Sequence, residues 1–266
     1  MSRTRGTWNT RGTWLAGAAL AAVLALTGYA VLAGDGDEEP TGKGGGAPSA
    51  SSSATSSPAP GYTVPDDWTE PEQWAALPRG SRTDKYGSKV GYPHTTEGAV
   101  AMAVHATNTS IEPGGEDAVD GQMRVYNSYI SAADHSDQAA QQIEQAGQQT
   151  DKKLRRQVGV PADGELPPGS YSRTTVIGFK VLKKTEDEVS VWLLGRVAVK
   201  KGELEKESTS YIRLLMGARW EDGDWKLSGQ ASVDAQKQAG SSKPGMAVPG
   251  DPQFNEYGWV AIREAS

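Results

Sequence analysis

Three histidines are the first candidates for chemistry in this sequence, because imidazole groups act as general bases and metal ligands near neutral pH. His94, His105 and His135 lie more than ten positions apart, so no two have the spacing of a paired metal site. His105 follows Val104 in an apolar run of helical character and could face a cavity as a catalytic base. A place on the polar flank of that helix is the commoner role for such a residue. His94 and His135 are expected to precede helix starts.

The sequence lacks the motifs of the common catalytic classes. It has no G-x-S-x-G nucleophile turn, no G-x-x-x-x-G-K-[ST] phosphate loop, no H-E-x-x-H zinc motif and no EF-hand loop. It also has no cysteine, which excludes disulfides, thiolate metal sites and cysteine nucleophiles. No catalytic, cofactor-binding or metal-binding residue is therefore assigned, and the chain is predicted not to be an enzyme.

Acidic and aromatic residues alternate in one short segment near the end of the predicted strands. Asp222 and Asp224 could form an acid–base pair or bind calcium, but Asp and Gly are the residues that a tight hairpin turn requires. Trp192, Trp220 and Trp225 fall on neighbouring predicted strands. They are candidates for a pocket wall or a partner surface, although packing within a sheet is the commoner role of such residues.

A basic cluster ends the third predicted helix. Positive side chains at a helix C-terminus interact favourably with the helix dipole, which explains the cluster without any partner. It is also a candidate docking patch for an acidic partner or a wall polymer. The net charge of -6 and the pI of about 5.2 argue against direct binding of nucleic acid. The cluster consists of Lys152, Lys153, Arg155 and Arg156.

The N-terminal part of the chain predicts a membrane anchor. Residues 14–33 contain no charge, and twenty helical residues cover the roughly 30 Å hydrocarbon core of a bilayer. Three arginines precede this stretch and four acidic residues follow it, which places residues 1–13 in the cytoplasm and the remainder outside. A single-pass, signal-anchored membrane protein is expected. The alternative is a signal peptide cleaved after Ala33, which would give a secreted protein.

The composition divides the remaining chain into three parts. Residues 34–67 are dominated by Gly, Ser, Ala, Pro and Thr and are predicted to form a disordered linker. Residues 68–232 carry the folded domain. Residues 233–266 are predicted to be a looser C-terminal extension, although aromatic residues such as Phe254 and Trp259 could dock back onto the domain.

Within the domain, the apolar pattern changes from helical to alternating. Helices are predicted over residues 97–110 and 116–132, and a third begins after Ser136 and ends before Gly159. Four strands with period two follow, and a tight turn with Asp222-Gly223 or Gly223-Asp224 joins the last two. The predicted fold is α+β, with three helices packed on one face of a curved four-stranded antiparallel sheet.

Two stretches carry a resemblance to a known family: YPHTTEGAVAMAVHA at residues 92–106 and MGARWEDGDWKLSG at residues 216–229. They resemble the nuclear transport factor 2-like superfamily. Behind one transmembrane helix, the domain is similar to the VirB-eight/TcpC-type scaffold in membrane proteins of actinobacterial conjugative elements. The resemblance implies a non-enzymatic component of a conjugation or type IV secretion complex, in contact with envelope or conjugation-machinery proteins and with itself.

Three functional hypotheses therefore remain open. The first is the interaction protein that the resemblance implies, and the second is a ligand-binding or enzymatic domain with His105 as its base. The third is a wall-exposed domain without a role in transfer. The interior between the helices and the sheet separates the first two, because an enzyme of this kind needs an open pocket with converging polar groups.

Overall fold

The computed structural model describes residues 67–263, which form nine β-strands and five α-helices. In chain order these elements are β1 (Trp74–Ala76), β2 (Arg82–Thr83), β3 (Lys89–Val90), α1 (Thr96–Thr107), β4 (Thr109–Ile111), α2 (Ala118–Tyr129), α3 (Asp137–Gln157), β5 (Ser170–Lys184), β6 (Glu188–Lys201), β7 (Ser208–Glu221), β8 (Asp224–Leu227), α4 (Gly229–Ala239), α5 (Pro252–Glu256) and β9 (Val260–Arg263).

Seven of these strands form one mixed sheet in the order β1-β9-β5-β6-β7-β8, with β4 also paired to β5. The β1–β9 pair is parallel and aligns Trp74 with Ala261, whereas the other pairs in the sheet are antiparallel. Strands β2 and β3 form a separate two-stranded ribbon. The pairing of β5 with β6 has two irregularities, after Val176 and after Val181. Each reverses the alternation of the β5 side chains between the two faces of the sheet.

Helix α1 is the central element of the inner core, the layer between the sheet and helices α1 to α3. Its N-cap is Thr95, whose side chain accepts a hydrogen bond from Gly98 N. Val100, Met102 and Ala103 are fully buried although they lie on different sides of the helix. A helix that is apolar nearly all round must be covered by other elements on nearly all sides. Helix α1 is covered in this way.

A second core, the outer core, covers the opposite face of the sheet. Here α4 crosses β7, while α5 and β9 bring Phe254 and Trp259 onto the sheet, where both are almost completely buried. Trp192 and Leu194 face this layer from β6. The central strands are therefore apolar on both faces and are covered on both.

The prediction of a four-stranded sheet with helices on one face is wrong. The sheet has seven strands, and the helices α4 and α5 lie on the face that was expected to be open. The missed strands are short and pair with distant parts of the chain, so local periodicity gives little sign of them. The first predicted helix also ends earlier, because Asn108 ends α1 and Thr109–Ile111 pairs with β5 as β4.

The predicted membrane anchor is a second correction. Among residues 67–263 there is no helix long and apolar enough to cross a bilayer. This finding contradicts the predicted single-pass, signal-anchored location. Residues 14–33, on which that prediction depended, and the predicted linker up to residue 66 lie outside the described residues.

Gly217 on β7 gives a test of the two-sided packing. A Cβ atom at this position would lie 2.3 Å from the backbone carbon of Ala231 in α4. We expect Gly217→Ala to lower the free energy of unfolding by about 1–3 kcal/mol, because α4 would have to move away from the sheet. Urea unfolding measures the change. Gly202→Ala is the matched control, since only one atom, at 3.9 Å, lies near its added Cβ. Equal effects of the two substitutions would contradict the close packing of α4.

Candidate functional site

His105 does not face the interior. It lies on the exposed side of α1, with its ring centre 5.8 Å from the ring of the buried Tyr92. Partial burial of the ring lowers the pKa of His105. Within residues 67–263, no carboxylate forms an ion pair with it. The geometry therefore does not give His105 the surroundings of a catalytic base.

The interior behind α1 is filled with apolar side chains. Val100 and Met102 from the helix meet Leu193 and Met216 from the sheet, and all four are almost completely buried. Interiors packed in this way have little space larger than a methyl group. Apolar side chains therefore occupy the place behind α1 where a pocket for His105 was considered.

The three tryptophans lie on two different faces of the sheet. Trp192 packs in the outer core, whereas Trp220 and Trp225 face the inner side as a cross-strand pair with ring centres 5.5 Å apart. His94 stacks on Trp220 at 4.0 Å and its Nε2 lies 3.0 Å from an Asp187 carboxylate oxygen. These residues close the end of the inner core, so they do not line one common pocket.

Asp222 and Asp224 have different roles in the hairpin. Asp222 and Gly223 both have positive φ angles, 50° and 78°, as the predicted tight turn requires. Asp224 is buried, and its two carboxylate oxygens accept hydrogen bonds from the backbone nitrogens of Gly91 and Tyr92 at 2.8 and 3.0 Å. The carboxylate therefore fixes the segment that leads into α1. Turn chemistry accounts for Asp222 but misses this long-range role of Asp224.

The predicted basic patch is only partly available to a partner. Arg155 Nε donates to the carbonyl oxygen of Gly164 at 2.9 Å and holds the loop after α3. Lys152 and Arg156 are exposed, whereas Lys153 is half-buried and burial lowers its pKa. The two exposed charges remain on the surface at the end of α3.

A shallow depression lies between β4 and the start of α2. Gln122 reaches into this region, and its buried Oε1 has no hydrogen-bond partner. A bidentate ion pair from Arg124 to Glu116 forms part of the lining. The depression has a volume of about 30 Å³, which fits on the order of two water molecules. Across the described residues, no group of three or more His, Asp or Glu side chains could hold a metal ion.

Strand β7 exposes an edge that the sequence analysis did not identify. Strand β8 pairs with β7 only from Ala218 to Glu221, while α4 covers the next position through a hydrogen bond from Gly217 N to Ser232 Oγ. Before that point, no strand within residues 67–263 pairs with β7 on the side away from β6. We call residues 208–215 on this side the open edge. In the sequence, this open edge is indicated only by the difference in length between the long strand β7 and the short strand β8.

These observations define the class of the protein: an α+β domain with a sheet covered on both faces, an inner core filled with apolar side chains and an open sheet edge on β7. The chain belongs to the family described as a domain of unknown function (DUF8175), whose model matches residues 33–247. No curated protein and no solved structure matches the chain. The resemblance to nuclear transport factor 2-like domains stays a prediction.

The two hairpin aspartates allow a matched test of their different roles. We expect Asp224→Asn to lower the free energy of unfolding by about 2 kcal/mol, because the amide cannot accept all of the buried backbone hydrogen bonds. Asp222→Asn makes the same chemical change at an exposed turn position that tolerates Asn, so its effect should stay within about 0.5 kcal/mol. Urea unfolding of both variants tests this, and similar losses would contradict the role of Asp224.

The buried Asp151 predicts a pH-dependent contribution to stability. Burial raises its pKa, although its Oδ1 accepts a hydrogen bond from Ala118 N at 3.0 Å. A raised folded-state pKa stabilises the fold at low pH, and this contribution is lost as the pH rises. The free energy of unfolding of the wild type, minus that of Asp151→Asn, should therefore fall between about pH 3 and pH 7.

Glu188 provides a control of opposite sign for the same experiment. A hydrogen bond from Lys183 lowers the pKa of Glu188, with Arg219 adding to this effect. A lowered pKa gives stability above the ordinary carboxyl pKa that is lost as the pH falls. The corresponding difference for Glu188→Gln should therefore grow as the pH rises. Equal slopes for the two variants would contradict the assignment of Asp151.

Proposed function

We propose that this domain acts through protein–protein contacts rather than through chemistry, as a structural component of a larger assembly. The open edge of β7 carries the proposal. An unpaired sheet edge presents backbone N–H and C=O groups to which another extended chain can add as a strand. Natural domains usually protect such edges with charges, prolines or covering elements. The open edge contains no proline, and Arg213 is its one charged residue, so residues 208–212, STSYI, lack this protection.

The remainder of the domain supports this proposal over a pocket-based activity. The inner core is filled, His105 is exposed, and Asp224 is used to hold backbone groups in place. The finer part of the proposal concerns the partners. We expect them to belong to the conjugation or secretion machinery to which the sequence resemblance points. No direct contact with nucleic acid is included, because the chain is acidic overall.

A photo-crosslinking amino acid at Thr209 tests the proposal in cells that make the full chain. Thr209 is exposed on the open edge, so a probe there should form covalent adducts with a bound protein. Gln145, exposed on α3, is the matched control position and should give few adducts. Adducts are separated by mass and identified by peptide sequencing. Equal, low yields at both positions would contradict an interaction at the open edge.

The identity of the Thr209 adducts tests the finer part of the proposal. Recovery of proteins from a conjugation or secretion machine would support the expected partners. Recovery of unrelated proteins only would contradict that part, while the contact through the open edge would stand. An adduct of twice the chain mass would identify a second copy as the occupant.

A further inference from the structure

The backbone groups of the open edge point away from the sheet in a defined alternation. The carbonyl oxygen of Gly217 accepts a hydrogen bond from Ser228 N, and Gly217 N donates to Ser232, so this residue faces away from β6. Backbone direction repeats every second residue in a strand. Thr209, Arg213 and Leu215 therefore also direct their N–H and C=O groups toward the open edge.

Arg213 lies on this edge without a partner of opposite charge. Its guanidinium donates to the carbonyl oxygen of Pro244 and lies 5.9 Å from the Trp192 ring centre, but no carboxylate within residues 67–263 forms an ion pair with it. It is half-buried, and burial lowers its pKa. A partly desolvated cation gains from a carboxylate supplied by a bound chain.

The residue immediately before β7 supplies such a carboxylate at a suitable spacing along the chain from Arg213. Glu207 and Arg213 lie three residues before and three residues after Ser210. In an antiparallel pair of identical strands with its two-fold axis at Ser210, Glu207 of one copy lies directly opposite Arg213 of the other. The same pairing occurs twice, once on each side of the axis. No charged residue lies between them to oppose this register.

We propose that the open edge of β7 pairs with the same edge of a second copy of this chain, antiparallel and centred on Ser210. This inference rests on the proposed function and names the occupant of the contact site. Glu207 lies on the same face of the sheet as Arg213, and hydrogen bonds from Arg196 and Tyr171 hold it there. Pairing joins the two sheets into one continuous sheet across the axis.

The inner face of the same segment agrees with this register. Ile212 and Val199 are half-exposed and pack on the buried Val197 at the end of the sheet. Centring on Ser210 sets Ile212 opposite Ser208 of the second copy, and Ser210 opposite its own equivalent. The small serines leave room for the two apolar clusters to approach and cover each other.

The absence of cysteine from the chain gives a clean test of this register. In the full chain, Ser210→Cys should form a disulfide-linked dimer under mild oxidation. Residues directly opposite in a non-hydrogen-bonded antiparallel pair have Cα atoms roughly 4.5 Å apart, within the range that disulfides span. Non-reducing electrophoresis measures the linked fraction. A linked fraction for Ser210→Cys no higher than that for the control variant Ser208→Cys would overturn the proposal.

Ser208→Cys is the matched control, because it has the same residue type, strand and sheet face. In the proposed register, the two copies of residue 208 are offset by four positions along the strands, roughly 13 Å, which is too far for a disulfide. Ser208→Cys should therefore remain monomeric on the gel. Equal linkage of the two variants would indicate random collision and overturn the proposed register.

Charge exchange tests the ion pairs in the Ser210→Cys background. Glu207→Lys and Arg213→Glu should each lower the linked fraction roughly threefold or more, because each places like charges opposite one another twice. The double variant restores both pairs with reversed signs and should recover most of the linkage. A double variant as weak as the single ones would overturn the pairing of Glu207 with Arg213.

The two proposals fail in distinguishable ways. If Ser210→Cys gives no dimer while the Thr209 probe still captures other proteins, the self-pairing is wrong and the interaction function stands. If neither position gives an adduct above its control, both proposals fail. Unfolding curves of each variant in urea, compared with the wild type, separate a lost contact from a lost fold.

Discussion

The whole domain depends on burying both faces of the three long strands β5, β6 and β7. Leu193 and Leu194 are neighbours on β6, point to opposite faces and are both completely buried. Burial of one leucine side chain contributes about 2 kcal/mol, so neither face could be left open without a large loss of stability. Helix α1 covers one face, and the chain returns after β8 to cover the other.

Coverage of both faces also explains where the surface remains open. Helix α4 can approach β7 closely at Gly217, and β8 pairs with the strand beyond it. Strand β8 does not pair with the first half of β7, whose first three side chains, Ser208, Thr209 and Ser210, are small and polar. The open edge is thus the part of the sheet left after the apolar surface has been covered. Contact with another chain there needs no rearrangement of either core.

Local features of this fold could be predicted from the sequence, whereas distant pairings could not. Ser136 caps α3, and a tight turn forms at Asp222 and Gly223, because each role depends on a few adjacent residues. The role of Asp224 depends on backbone nitrogens more than 130 positions away. The sequence pattern also does not show on which side of α1 His105 lies, because that helix is apolar nearly all round. Neither open sheet edges nor filled interiors leave a periodic signal.

The parallel pairing of β1 with β9 has a mechanical consequence. Its register aligns Trp74 with Ala261 and Ala76 with Arg263, so the two strands run side by side in the same direction. A tension applied between the chain before β1 and the chain after β9 would pull them in opposite directions along their length. The hydrogen bonds between them would then bear the load together in shear, whereas a hairpin pulled from its open end separates one bond at a time. The ends of the domain are joined in the geometry that resists extension.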